Sequence, residues 1–179
     1  ERLEEDEKTF EAKTGFSINE LAGRTVLDAG CGGGRYSFVA AKHGARVIAM
    51  DMSRAIDRAA RMCAEFSNVD FVQADLLHLP LVNHSVDLAF SIGVLHHSSD
   101  AARAFRQVAA VVRSGGRLAV WLYRRNKLVQ EYVNEVLRGV TKRMSVPQLE
   151  AIATAGAVLG SVPLINRTLN KLMNFSNHP

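Results

Sequence analysis

Four groups of residues in this chain have the types and spacing to hold a nucleoside-like ligand. The first is Val26-Leu27-Asp28-Ala29-Gly30-Cys31-Gly32-Gly33-Gly34: an apolar strand-length run, a carboxylate, then a loop of mostly glycine. Glycine lets a backbone approach a ligand without a Cβ in the way. A strand, such a loop and then the helical pattern Arg35–His43 make a cofactor site at the carboxyl edge of a parallel sheet. The second group is Asp51, which closes the next apolar run, where a carboxylate can accept from ribose hydroxyls. The third is Asp75, in Val72-Gln73-Ala74-Asp75-Leu76, placed to take an adenine amino group or to serve as a turn residue. The fourth is Ser91-Ile92-Gly93, which would face the middle of such a ligand.

The details favour one ligand class. A dinucleotide loop needs a small residue where this chain has Arg35. Asp28 is a poor neighbour for a pyrophosphate and a good one for an ammonium group, met directly or through a water. An amino-acid-bearing nucleoside therefore fits better than a dinucleotide, and a nicotinamide-dependent oxidoreductase is the weaker reading. His96 is the candidate general base, since His96 and His97 follow the fourth strand and histidine titrates near neutral pH. The alternative is that one histidine packs or caps a helix and the other is solvated. Adjacent helical residues point about 100° apart, so the pair is not expected to bind one metal, and no metal site is predicted. Cys31 reads as a small loop residue without a base partner, not as a nucleophile. Trp121 and Tyr123 could floor an acceptor pocket or be ordinary core aromatics.

These residues must be carried by strands and helices in alternation. Strand-length runs are Thr25–Asp28, Arg46–Asp51, Val69–Ala74, Val86–Ile92 and Arg117–Tyr123. Helical periodicity falls at Arg35–His43, Arg54–Phe66 and Ala101–Val112. Near-continuous apolar strands predict a parallel sheet buried on both faces, hence a doubly wound α/β fold. Ser53 and Asp100 are expected helix N-caps, and Ser114-Gly115-Gly116 is the expected link from the last helix into its strand. Beyond Tyr123 the pattern predicts helices over Lys127–Arg143, from the capping box Ser145-Val146-Pro147-Gln148 through the Ala-rich residues to 160, and from Pro163 to Met173. Three regions follow: residues 1–23 as an N-terminal cap segment, 24–123 as the cofactor-binding α/β core, and 124–179 as a helical extension or lid.

The ordered motifs at Val26–Gly34, Val47–Ser53, Phe71–Leu76, Val86–His97 and Arg113–Leu118 resemble the class I S-adenosylmethionine-dependent methyltransferases. The closest group is type 11, to which quinone-biosynthesis C-methyltransferases are related. The resemblance implies a mostly parallel, Rossmann-like methyltransferase fold and S-adenosylmethionine as cofactor. Gly30, Gly32 and Gly34, with Asp28 and Cys31, would line its methionine part. Asp51 would hold the ribose, Met52 would pack on the adenine, Asp75 and Leu76 would address its edge, and Ser91 would face its middle. Lys13-Thr14-Gly15-Phe16 resembles a cap over the cofactor. The implied activity is methyl transfer to a small-molecule or lipid-like acceptor. The alternative is a catalytically silent module that binds S-adenosylmethionine or S-adenosylhomocysteine. The family sheet has seven strands with a final antiparallel hairpin, whereas five strands are read here, so a fragment truncated before the last strands is expected.

Composition narrows the partners. A chain of 179 residues is long enough for one domain with a full core. Residues 1–123 carry 14 Lys and Arg against 15 Asp and Glu, a balance of −1, while residues 124–179 carry 8 against 3, a balance of +5. The basic stretch predicts either a solvated face or a surface that meets anionic lipid, as a peripheral membrane contact, or an acidic substrate. It has no aromatic-interleaved groove, so no nucleic-acid partner is expected. The two cysteines make no disulfide framework, which suits a reducing, cytoplasmic location. Residues 1–11 are mostly charged, unlike a signal peptide, and Ala151–Ile165 is too short and interrupted to span a bilayer.

Overall fold

The computed structural model describes residues 2–122 together with Met144, Ser145 and Gln148. Strand β1 (Thr25–Ala29) shows why its sheet must be covered twice: Val26 packs into a core on one face, Leu27 and Ala29 into a core on the other. Strand β2 (Arg46–Asp51) alternates likewise, with Val47 and Ala49 against Ile48 and Met50. In β4 (Val86–Ile92), Leu88 and Phe90 face the first core and Ala89 the second. With β3 (Val69–Gln73) and β5 (Val112–Trp121), the strands form one parallel sheet in the order β3-β2-β1-β4-β5.

Helices α1 (Arg2–Thr14), α2 (Arg35–Lys42) and α3 (Ala55–Met62) supply Phe10, Val39, Ala40, Ile56 and Ala59 to the first core. Helix α4 (Ala101–Val111) supplies Ala104, Val108 and Val111 to the second. The expected doubly wound α/β fold is therefore present. Strand order reverses between β1 and β4, and open α/β sheets bind ligands at the carboxyl edge of such a reversal.

Several boundaries differ from expectation for local reasons. Helix α3 stops at Met62 because the chain turns at Cys63, where the Phe66 N–H donates to the Cys63 carbonyl and the Phe66 ring packs edge-on against Phe38. Ser53 lies one residue before the N-cap position, held by Arg54, yet its Oγ still accepts from the Ala55 N–H at 3.2 Å. Asp100 caps α4 as expected, accepting from the Arg103 N–H at 2.8 Å. Ser114-Gly115-Gly116 is not the link into β5. The strand starts at Val112, paired with Val86, and residues 113–116 bulge out before Arg117 pairs with Leu88. Asp87 anchors the bulge by bonding both the Arg113 guanidinium and the Thr25 N–H.

The segment before Arg24 is built into the first core. Phe10 is fully buried, with its ring 5.2 Å from Phe90, 6.1 Å from Tyr36 and 6.5 Å from Phe16. Asp6 pairs with Arg35, and Glu7 meets His43 at 2.8 Å, so α1 is tied to α2 along its length. The helices expected at Lys127–Arg143, from the Ser145 capping box through residue 160, and from Pro163 to Met173 lie, apart from Ser145 and Gln148, outside the described residues, as does Tyr123. Of the capping box, Gln148 Oε1 accepts from the Ser145 N–H at 2.9 Å, the return half of the motif. No helix among the described residues is long and apolar enough to cross a membrane.

Replacing Phe10 by Ala should cost about 3–5 kcal/mol of stability, since it leaves a cavity between α1 and the sheet. Urea unfolding measures this. A loss below about 1 kcal/mol would mean that α1 is a detachable flap.

Candidate functional site

A small cleft of about 100 Å³, partly open to solvent, lies at the carboxyl edge of the sheet. Its lining is Gly30, Asp51, Met52, Asp75 and Leu76, joined by Val94, His97 and Ser98. The first five are sequence-predicted site residues, and the fold brings them together from the ends of three strands. The loop after β1 is held to β2 by two hydrogen bonds from the Gly30 and Cys31 N–H groups to the Met50 carbonyl, at 2.8 and 2.9 Å. Asp51 completes the attachment. Its Oδ2 accepts from the Gly32 N–H at 2.8 Å, and its Oδ1 accepts from the Ser53 N–H and Oγ at 2.9 and 2.7 Å. An ionised carboxylate offers about four acceptor positions, so these three bonds leave room for a further donor. Asp75 Oδ1 accepts from the Leu77 N–H at 2.9 Å, fixing the turn Leu76–His78 behind the cleft. Met52 is 70% exposed, an apolar side chain on the cleft's lip.

The other predicted residues lie behind or beside this lining. Asp28 is 3% exposed beneath the loop, where Ser37 Oγ donates to its Oδ2 at 2.6 Å. Burial pushes its pKa up from the ordinary 3.8 to about 7, the Ser37 bond opposes the rise, and Asp51 adds to it. The Cys31 thiol is also buried and pushed up by burial and by the Asp28 and Asp51 carboxylates, which suits a small loop residue and not a nucleophile. Gly32 stands at φ +51° with open space around it, the left-handed conformation that orients its N–H toward Asp51. Gly34 lines no part of the cleft. At φ +87°, a Cβ there would sit 2.8 Å from Ala59 Cα, so this glycine permits α2 and α3 to meet. Ser91 is fully buried and donates to the Ala29 carbonyl at 2.8 Å, joining β4 to β1.

The histidine pair stands at the turn beside the cleft. His97, not His96, lines the cleft. The two do not diverge by a helical step: they sit in a single 3-10 turn, Leu95–His97, with rings 4.0 Å apart and tilted by 45°. Burial and the neighbouring His97 lower the His96 pKa. Val94, His97 and Ser98 also line the cleft, from the turn that follows β4. Their signal in the sequence is positional, since this turn borders the reversal in strand order. In the predicted cap Lys13–Phe16 the Lys13 ammonium lies over the Tyr36 and Trp121 rings, and the cleft lining is made by other residues. Among the described residues, no group of three or more His, Cys, Asp or Glu side chains is arranged to hold a metal ion.

Residues 27–120, just over half of the chain, match the type 11 family model described as a methyltransferase domain. The chain belongs to this family. It is 35% identical over 108 residues to a ubiquinone biosynthesis O-methyltransferase of Coxiella burnetii, covering 59% of this chain and 46% of that protein. The YcgJ protein of Bacillus subtilis has a similar structure, with 30% identity and a TM-score of 0.57 over 65% of this methyltransferase-domain chain and 52% of its own. A third similarity is to phosphoethanolamine N-methyltransferase 1 of Haemonchus contortus, solved with phosphoethanolamine and S-adenosylhomocysteine: 26% identity and TM-score 0.52, over 55% of this chain and 22% of that one. The methyltransferase-domain chain spans about half the length of the curated relatives it matches.

Asp28 makes stability pH-dependent in a definite direction. Its folded pKa is raised, so the folded state holds the proton more tightly than the unfolded state between about pH 4 and pH 7. Stability from this group is full below that window and is lost as pH rises through it. Between pH 5 and pH 8, urea titrations should show the wild type losing roughly 2–3 kcal/mol relative to Asp28→Asn. Parallel pH profiles for the two proteins would show that another group titrates.

Proposed function

We propose that this protein is an S-adenosylmethionine-dependent methyltransferase acting on a small-molecule or lipid-like acceptor. One observation carries the reading: Gly30, Asp51, Met52, Asp75 and Leu76 meet in one cleft beside the reversal in strand order. The donors and surfaces in that cleft suit the cofactor. Asp51 has acceptor capacity left for a ribose hydroxyl. Met52, Leu76 and Val94 offer apolar surface to a purine, and Asp75 can accept from its exocyclic amine. Asp28, Cys31 and Gly32 underlie the loop that would run along the methionine part, with Asp28 supplying negative charge for an amino group. The O-methyltransferase relative and the neighbour solved with S-adenosylhomocysteine support the same choice.

When bound, S-adenosylmethionine supplies an electrophilic methyl group on a sulfonium. The chain's task is then orientation and exclusion of water. The Asp51 clamp fixes the loop, and Met52 and Leu76 restrict the base, so the nucleoside is held in one register. His97 is placed to accept a proton from an acceptor at the cleft.

Residues 124–179, with their balance of +5, would add peripheral attraction to anionic lipid. Both described cysteines are free and buried, which supports a cytoplasmic setting.

Calorimetric titration of the folded protein with S-adenosylmethionine and S-adenosylhomocysteine tests the reading. Both should bind, and Asp51→Ala should weaken each by about tenfold or more, the effect of losing a charge-assisted hydrogen bond and the loop clamp. Absence of heat from a folded sample removes the proposal. Binding of both without transfer to any acceptor would instead indicate the silent module. Separately, co-sedimentation with vesicles should rise with their anionic lipid content, and an indifferent response removes the membrane contact.

A further inference from the structure

We propose that Lys13, Tyr36 and Trp121 form a subsite for a carboxylate on a ring-bearing acceptor, an inference that rests on the methyltransferase reading. Lys13 Nζ lies 4.4 Å from the centroid of the Trp121 ring, 5.8 Å from that of Tyr36 and 3.4 Å from the Tyr36 hydroxyl. All three side chains are half-buried. Three cations nearby on α2 and β5 or at the end of α2 meet a carboxylate: Arg35 meets Asp6, His43 meets Glu7, and Arg117 meets Glu20. Among the described residues, Lys13 meets none within ion-pair distance.

A lysine in the last turn of a helix is favoured by the helix dipole. That accounts for the charge but not for its direction. An exposed lysine keeps its head in water and only its stem on apolar surface. Here the ammonium is turned inward onto two rings. Cation–π attraction offsets part of the lost hydration, and an ammonium that meets no carboxylate among the described residues favours an incoming anion. The mount is rigid. Thr14 Oγ1 donates to the Phe10 carbonyl and accepts from the Phe16 N–H, and Phe16 is buried, so the end of α1 is locked directly after Lys13.

The location suits an acceptor. The Gly93 N–H donates to the Trp121 carbonyl at 2.8 Å, and the next residue, Val94, lines the cleft. Tyr36 stands in the first turn of α2, immediately after the glycine loop. An anion held at Lys13 would leave the rest of its molecule between the end of β5 and the cleft, with the indole and phenol rings as its apolar walls.

Trp121 is the chain's one tryptophan, so its emission reports this subsite without any methyl transfer. The probes are benzoate and its neutral near-isostere benzamide, titrated into the intact protein. Benzoate should shift the Trp121 emission with a midpoint about tenfold or more below that of benzamide. Lys13→Met should erase that preference, and Lys13→Arg should retain it. Equal midpoints for the two probes in the wild type, or no response to benzoate, overturn the subsite without recourse to any variant. An undiminished preference in Lys13→Met also overturns it. Cofactor heat is measured on the same samples. Cofactor binding without benzoate preference sinks the subsite alone, whereas absence of cofactor heat sinks the methyltransferase reading whichever way the emission moves.

Discussion

The bond between the Asp51 carboxylate and the Gly32 N–H holds the ligand edge of this molecule in shape. A loop with four glycines in five positions has more backbone freedom to lose than any other stretch of the chain. Its order has to come from outside itself. Asp51 and the Met50 carbonyl provide it from the end of the neighbouring strand, receiving the N–H groups of Gly30, Cys31 and Gly32. Parallel pairing of β1 with β2, Ala29 opposite Met50, sets the height at which this can happen. The cleft wall is thus a product of strand register as much as of loop composition.

Beneath that wall the electrostatics are finely divided. Asp28 and Asp51 both approach the loop, one buried and one at its rim, and burial and the Asp51 charge both disfavour ionisation of Asp28. Ser37 partly compensates Asp28 from the first turn of α2. A cationic ligand arriving above the loop would meet a carboxyl group close to the balance between its two protonation states. The molecule thereby holds negative charge in reserve without carrying its full desolvation cost in the free state.

Much of this was legible in the residues. The alternation of Val26, Leu27 and Ala29, repeated in β2 and β4, required two covered faces, and the glycine loop with Asp51 marked the binding edge. What escaped was of two kinds. The neighbours of a buried carboxylate are non-local, so the sequence could not show that Ser37 would claim Asp28 or that Ser91 would turn to Ala29. Where a strand hands over to a turn, periodicity ends, and so the residues did not show that His97 would line the cleft. Gly34 carries a packing role that its letter does not reveal. A glycine needed for close helix packing has the same letter as one needed for a ligand, and only Ala59 tells them apart.

With Gly34 in a left-handed conformation and the Ala59 backbone pressed against it, position 34 has no space for a side chain whichever residue stands at 59. The seam between the two helices therefore fixes one letter of the glycine loop by itself, for a reason that has nothing to do with what the cleft receives.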